Sequence, residues 1–596
     1  MRELLMGNEA IALGALKAGV RCVCGYPGTP SSEVLETAAK RNPGGVYIEW
    51  SVNEKAAVET AAGAAYAGAR AMVTMKQVGL NASSDPIMCL NYIGVKGGLV
   101  ILCADDPGPI SSQTEQDTRA FGRYARIPVL DPSTPEEAFE MTGKAFELSE
   151  KYQTPVILRP TTRVCHSCAG IEVGALQKPV GGDGFTKDAK WVIFPRLSYQ
   201  NKQKLFARET ELGRYFSESG LNSVSGSGSK GIITGGVTAA YVKDALEMLG
   251  NPPVRLMTVG TPYPFPDDMA QNFLSGLDSA LALEELDPVC EDALIAICGR
   301  KHLPTDILGK RTGDAITAGE YSVIAAACDI AAFLKLPFEI KPQEAAAVPP
   351  RPPVLCAGCP HRASFYAVKQ AMKGKKTVFS GDIGCYTLGN AAPLDMVDTC
   401  LCMGAGLTIA SGLSHVESGR THFGFIGDST FFHSGITGVV NALYNQADAV
   451  FVILDNHTTA MTGHQPHPGI GRTMMGEISE KISIDNTLRA IGVKSLRRVD
   501  PLRLSDAVKA VKDAADEKGV RVIIFESPCI ALQKPSKSAR VQTEGCIGCR
   551  KCISELGCPA ISVSDGKALI SAGLCTGCGL CAQVCPVKAI SLCGKE

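Results

Sequence analysis

The sequence has no excess of either charge. Lys and Arg number 59 against 60 Asp and Glu, a net charge of −1. That balance excludes a generally basic nucleic-acid binder and an acidic disordered tail. It also has no apolar run approaching the roughly 18 residues that cross a bilayer, so neither nucleic acid nor membrane is expected as a partner. Residues 1–19 carry acidic side chains inside their apolar stretch and no clear cleavage site. They read as a helix, not a signal peptide, and the chain is expected to be cytoplasmic. With 596 residues it can bury several cores without disulfides, and roughly four domains are expected.

What it does have is cysteine, unevenly placed. Of 24 cysteines, nine fall between Cys546 and Cys593. A large chain without an export signal does not use such a set for disulfides. Upstream, short apolar runs alternate with helical stretches. Ala71–Met75, Leu99–Ala104 and Pro155–Pro160 read as strands, separated by Ala- and Glu-rich helices, a βαβ pattern with buried parallel strands. A polar segment follows, with a helix in Asn201–Phe216 and a linker composition in Ser223–Gly231. A second alternating block runs from Gly231 to about Leu336, then a Pro-rich spacer at Ala345–Val354. A third block runs from Leu355 to about Gln533. The expected domains are 1–180, 181–345, 346–540 and 541–596.

The tail reads CIGCRKCISELGCP, then CTGCGLCAQVCP. Three cysteines two residues apart wrap one corner of a cubane, and a fourth before proline reaches the other cluster. The expected sets are Cys546, Cys549, Cys552 with Cys585, and Cys575, Cys578, Cys581 with Cys558. Two zinc sites would also take eight cysteines. The pattern resembles bacterial-type two-cluster ferredoxins, with one departure: five residues separate Cys552 from Cys558, where three are usual. Cys593 is surplus and reads as structural. Such a module moves single electrons, so something upstream must make or consume them.

In the third block one strand runs into Gly427, Asp428 and Ser429, and the next into Asp455, Asn456, His457 and Thr458. Magnesium wants hard oxygen ligands and is often shared with phosphates. Asp428, Asn456 and the carbonyl of Thr458 can supply three. The 28-residue step from Asp428 to Asn456 resembles the thiamine-diphosphate motif; the alternative is two ordinary strand-end turns. That cofactor also needs a carboxyl on its aminopyrimidine, from a second domain. Glu54 opens a helix of small residues and is the candidate, with Glu49 and Glu59 as competitors. Its bland reading is a helix N-terminal acid stabilised by the dipole.

Gly25–Val34 (GYPGTPSSEV), Ser51–Ala57 (SVNEKAA) and the Asp428–Asn456 pair occur in the order of the 2-oxoacid:ferredoxin oxidoreductases, which the whole chain resembles. Segments VILRPTTRVCHS, CAGCPHR, GDIGCYTLG and DNHTTAMTGHQPHPG resemble the indolepyruvate branch, whose alpha subunit carries a fused ferredoxin domain. The resemblance implies three parallel-sheet α/β domains plus a small α+β two-cluster ferredoxin domain. Two of the α/β domains are of the thiamine-diphosphate-binding type and one is transketolase C-terminal-like. It implies conversion of arylpyruvates, CoA and oxidised ferredoxin to aryl-acetyl-CoA, CO2 and reduced ferredoxin, with a small beta subunit, as a dimer of alpha-beta pairs.

It further implies Thr29 as a contact for the substrate carboxylate, or else plain turn chemistry, and Gly381 and Asp382 as cofactor neighbours. A third 4Fe–4S cluster is implied on Cys356, Cys359, Cys385 and Cys529; four packed thiols or a zinc site are the alternatives. His361, His433 and His457 are further site candidates. His464–Gly469 reads as aryl-pocket lining or a plain loop. Arg159 and Arg163 read as contacts for CoA phosphates or as ion pairs. Two rivals stand beside this: a non-oxidative thiamine-dependent decarboxylase or carboligase, and a pure electron-transfer subunit. A 2-oxoacid oxidoreductase of other substrate preference is the nearer alternative.

Overall fold

The computed structural model describes residues 2–339 and 348–594. The chain divides into two compact units, Met1–Glu344 and Ala345–Glu596. The boundary expected at 345/346 and the first residues of the Pro-rich spacer lie outside the described residues.

The first unit holds two principal sheets. The first is six-stranded and parallel, in the order Tyr47–Trp50, Cys22–Gly25, Ala71–Lys76, Leu99–Ala104, Val156–Leu158, Val129–Leu130. All residues of Leu99–Ala104 are buried, as a strand covered on both faces requires. The helix Glu54–Tyr66 lays Ala57, Ala61 and Ala65 on this sheet, and small side chains let it approach closely. The N-terminus departs from the expected single helix. Arg2–Met6 is a strand antiparallel to Cys168–Glu172, and the helix begins only at Gly7.

The second sheet runs Asp306–Leu308, Ser279–Leu283, Lys230–Gly235, Arg255–Val259, Asn222–Gly226. The last strand is antiparallel to its neighbour and corrects the linker reading of this segment. Its serines and glycine are exposed on an edge, and a solvated edge strand has the composition of a linker. The helix expected in the polar segment forms, over Pro195–Glu218.

The second unit contains a five-stranded parallel sheet in the order Thr377–Ser380, Thr421–Gly427, Ala449–Asp455, Val520–Glu526, Ser495–Val499. Gly427 pairs with Leu454, and Asp455 with Glu526. The two candidate cofactor segments therefore leave the carboxyl ends of adjacent central strands, where open parallel sheets bind ligands. The tail forms two antiparallel ribbons, Lys537–Val541 with Ile590–Gly594 and Ile561–Ser564 with Lys567–Ile570. It shares a core with the sheet: Cys552, Leu556 and Leu580 belong to one apolar cluster with Phe365 and Phe425. Among the described residues no helix is long and apolar enough to cross a membrane.

Candidate active site and cluster sites

Asp428, Asn456 and Thr458 are all buried and joined to one another. Asp428 accepts from the backbone N–H of Ser429 at 2.8 Å and of Asn456 at 3.2 Å. Asn456 Oδ1 accepts from the N–H of Thr458 at 3.2 Å. Burial alone would raise the Asp428 carboxyl, but His467 and these hydrogen bonds hold it below the ordinary value. Its neighbour Asp455 is pushed up to about 6, by burial and then by the charge of Asp428. The Thr458 hydroxyl is buried without a partner among the described residues. Two hard oxygen donors, a free hydroxyl and an adjoining carbonyl form the donor set that magnesium and a diphosphate take. The residues present fit the group.

The histidines divide. His467 Nε2 donates to Asp428 at 3.1 Å, so the loop His464–Gly469 reaches the acid itself. Their separation of 39 positions hid this contact from sequence reasoning. His361 is buried and kept neutral, pushed down to about 4 by desolvation. Its Nε2 receives Asn456 Nδ2 at 3.2 Å, so His361 orients the amide. His457 turns to Glu526 at 3.0 Å. His433 sits in a single π-helical turn, Phe431–Gly435, beside Ser434. Gly427 packs under the ring of Tyr386, where a β-carbon would lie 2.5 Å from a ring atom. Asp382 has both carboxylate oxygens taken by backbone N–H groups, from Ile383 at 2.6 Å and Gly404 at 2.7 Å. It anchors the start of helix Ala405–Val416. Ser429 accepts from Thr459 at 2.9 Å, and Gly381 packs against Val397.

In the first unit the three glutamates separate cleanly. Glu49 receives the hydroxyls of Tyr47 at 2.5 Å and Ser51 at 2.6 Å. Glu59 is exposed and pairs with Lys55. Glu54 is 5 % exposed, and its carboxyl packs on Gly79, where a β-carbon would stand 2.6 Å from Oε1. Thr29 lies in a turn held by Ser32 Oγ, which accepts the N–H of Gly28 at 3.0 Å. Arg159 is buried with Asp105 at 2.6 Å and Asp131 at 3.2 Å, and Arg163 pairs with Glu320 at 2.7 Å. Both are therefore engaged in ion pairs.

The tail cysteines gather as two sets around two cavities. Cys546, Cys549, Cys552 and Cys585 line one; Cys558, Cys575, Cys578 and Cys581 line the other. Backbone amides point at sulfurs, Ala539 and Gly577 to Cys575 at 3.2 and 3.4 Å and Ala589 to Cys585 at 3.3 Å. Gly577 has φ +73°, a conformation that favours glycine.

The segment between Cys552 and Cys558 is held by a side chain from upstream. Arg362 donates to the carbonyls of Leu556 and Gly557 at 2.8 and 3.1 Å, and to Leu355 and Cys356 at 2.8 and 2.5 Å. One guanidinium thus ties the tail to the loop that carries Cys356 and Cys359. Burial lifts Cys385 to about 11, with the charges of Cys529 and Cys356 adding to the rise.

Family comparisons agree in position with these sites. Residues 13–180 match a thiamine-diphosphate-binding family of pyruvate flavodoxin/ferredoxin oxidoreductases. Residues 382–525 match the C-terminal thiamine-pyrophosphate-binding domain of thiamine enzymes, and 568–591 a 4Fe–4S binding domain. The indolepyruvate oxidoreductase subunit IorA of Methanothermobacter marburgensis is 42% identical over 100% of this chain and 98% of its own. Those of Archaeoglobus fulgidus and Pyrococcus abyssi are 39% and 40% identical, covering 99% and 94% of this chain and 97% and 91% of their own.

The chain belongs to the indolepyruvate oxidoreductase subunit IorA family. It is accordingly a thiamine-diphosphate-dependent 2-oxoacid:ferredoxin oxidoreductase subunit with a 4Fe–4S domain. The α/β sheets and the Cys-rich tail expected from sequence are those of this family. Sequence reasoning did not single out the contacts of His467 and Arg362, which join segments far apart in the chain.

Proposed function

We propose that the chain is the catalytic alpha subunit of an enzyme that oxidatively decarboxylates aryl 2-oxoacids, indolepyruvate and its relatives. CoA receives the acyl group, aryl-acetyl-CoA and CO2 leave, and electrons pass through iron–sulfur clusters to ferredoxin. A small beta subunit completes the enzyme, as a dimer of alpha-beta pairs. The reading rests above all on near-full-length identity with relatives named for indolepyruvate. Asp428, Asn456 and the Thr458 carbonyl hold magnesium and, through it, the diphosphate. Glu54 bonds the aminopyrimidine nitrogen from a buried, water-poor position. Thr29 contacts the substrate carboxylate. Thiamine diphosphate, when bound, supplies the stabilisation of negative charge on the keto carbon. The eight tail cysteines would hold two 4Fe–4S clusters, and Cys356, Cys359, Cys385 and Cys529 a third; such clusters would supply one-electron transfer.

The test is anaerobic viologen reduction by the chain with its small subunit. Indolepyruvate and phenylpyruvate should be oxidised in preference to pyruvate, with an absolute need for CoA. Preferred pyruvate turnover would overturn the aryl assignment. CO2 release without dye reduction would identify a non-oxidative decarboxylase instead.

A further inference from the structure

The strand Ala71–Lys76 has five buried residues and then ends on a lysine. The stem of Lys76 runs along the turn that carries Thr29: a β-carbon on Gly28 would stand 3.2 Å from its Cγ and 3.5 Å from its Cδ. Two carboxylates face its charge, Asp106 and Glu54, and both favour the ammonium; burial opposes them and prevails, leaving the amine below the ordinary lysine value.

Neither acid closes an ion pair with it. Asp106 is filled by the N–H groups of Ser111 and Ser112 at 2.8 and 2.9 Å and the hydroxyl of Thr162 at 2.6 Å. Glu54 is packed on Gly79. Among the described residues Lys76 makes no hydrogen bond or ion pair. An ammonium has three donors and no acceptor, and a half-buried one gains from an anion brought beside it. Ser111 also donates to the carbonyl of Thr29 at 3.3 Å, so the Asp106 loop, the Thr29 turn and Lys76 converge on one place beside Glu54.

The geometry points to Lys76 as the cation that receives the carboxylate of the 2-oxoacid. This rests on the proposed function, in which every substrate brings one such carboxylate, fully ionised at neutral pH. Thr29 alone offers a neutral hydroxyl. Lys76 adds a charge-assisted bond, the stronger kind, and fixes the end of the substrate that must leave as CO2. The arrangement selects for a 2-oxoacid over the corresponding aldehyde or ester, whatever the aryl group.

The experiment compares Lys76→Met, Lys76→Gln and Lys76→Arg in the full chain with its small subunit. In the Met and Gln variants kcat/KM for indolepyruvate should fall by about 10- to 150-fold, the range of a lost bond to a charged group. Most of the loss should lie in KM. Thiamine content and KM for CoA should stay at wild-type values, and Lys76→Arg should recover most of the loss. A kcat/KM unchanged in both neutral variants would overturn the proposal. So would a parallel loss of thiamine, which would make Lys76 a support of the cofactor or the fold. A wild type that turns over no 2-oxoacid would overturn the parent reading, and this one with it.

Discussion

Gly358 and Thr576 touch: a β-carbon on Gly358 would stand 1.8 Å from Thr576 Oγ1. Gly358 lies between Cys356 and Cys359, and Thr576 between Cys575 and Cys578. The loop of the proposed third cluster and the loop of a tail cluster therefore meet backbone to side chain. Gly358 also has φ +74°. Gly358→Val should fail on both counts, at a cost of about 1–3 kcal/mol of stability. The tail should keep its iron, while electron transfer to ferredoxin slows. Stopped-flow cluster reduction in the variant checks this, and an unchanged rate would show that the close approach does not carry electrons.

Asp428→Ala and Asn456→Ala should each abolish retention of thiamine diphosphate and turnover, because the diphosphate charge loses its compensating ion. The fold and the tail clusters should persist. Cofactor content and iron content, measured on the same preparation, separate the two effects.

Glu54→Gln should keep the cofactor yet lose turnover by roughly 100- to 10,000-fold, the scale of a lost acid–base group. Glu59→Gln should behave like wild type, since Glu59 is exposed and pairs only with Lys55. Normal rate in Glu54→Gln would mean that another carboxyl serves the aminopyrimidine.

Three cubanes require about twelve irons per chain, against about eight for the tail alone. Removing the tail would bare the core it shares with Phe365 and Phe425, so point variants in the full chain are the cleaner test. Cys385→Ser with Cys529→Ser should lower anaerobic iron content by about four and leave the tail signals intact. Unchanged iron would assign these thiols to packing.

Asp382 gives a pH dependence. Burial lifts its carboxyl to about 7, against an ordinary 3.8. The folded state therefore holds a proton that the unfolded chain releases. The stability this confers is full below about pH 4 and is lost as pH rises toward 7. Asp382→Asn should flatten that slope in denaturant titrations of the metal-free protein. A slope unchanged from wild type would show that Asp382 is ionised in the folded chain.

The central strands were legible because they are continuous apolar runs, as in Leu99–Ala104 and Ala449–Asp455. The cysteine sets were legible because cluster chemistry imposes a spacing. Edge and short strands were not: Asn222–Gly226 is solvated, and Cys22–Gly25 spans four residues, too few for a periodicity. Glu54 was preferred to Glu49 and Glu59 because it opens a helix of small residues; its burial and their partners were not legible. Lys76 and His467 carry no spacing signal at all. Their meaning comes from what the fold brings beside them, the Gly28 turn for one and the Asp428 carboxylate for the other.

Arg362 gives two of its four bonds to the segment before Cys558 and two to the loop that carries Cys356. Each loop is thus a condition for the other: if either pulls away, two buried N–H donors lose their acceptors, at about 1–3 kcal/mol for each group left unpaired. The two cysteine-bearing loops behave as one cooperative unit.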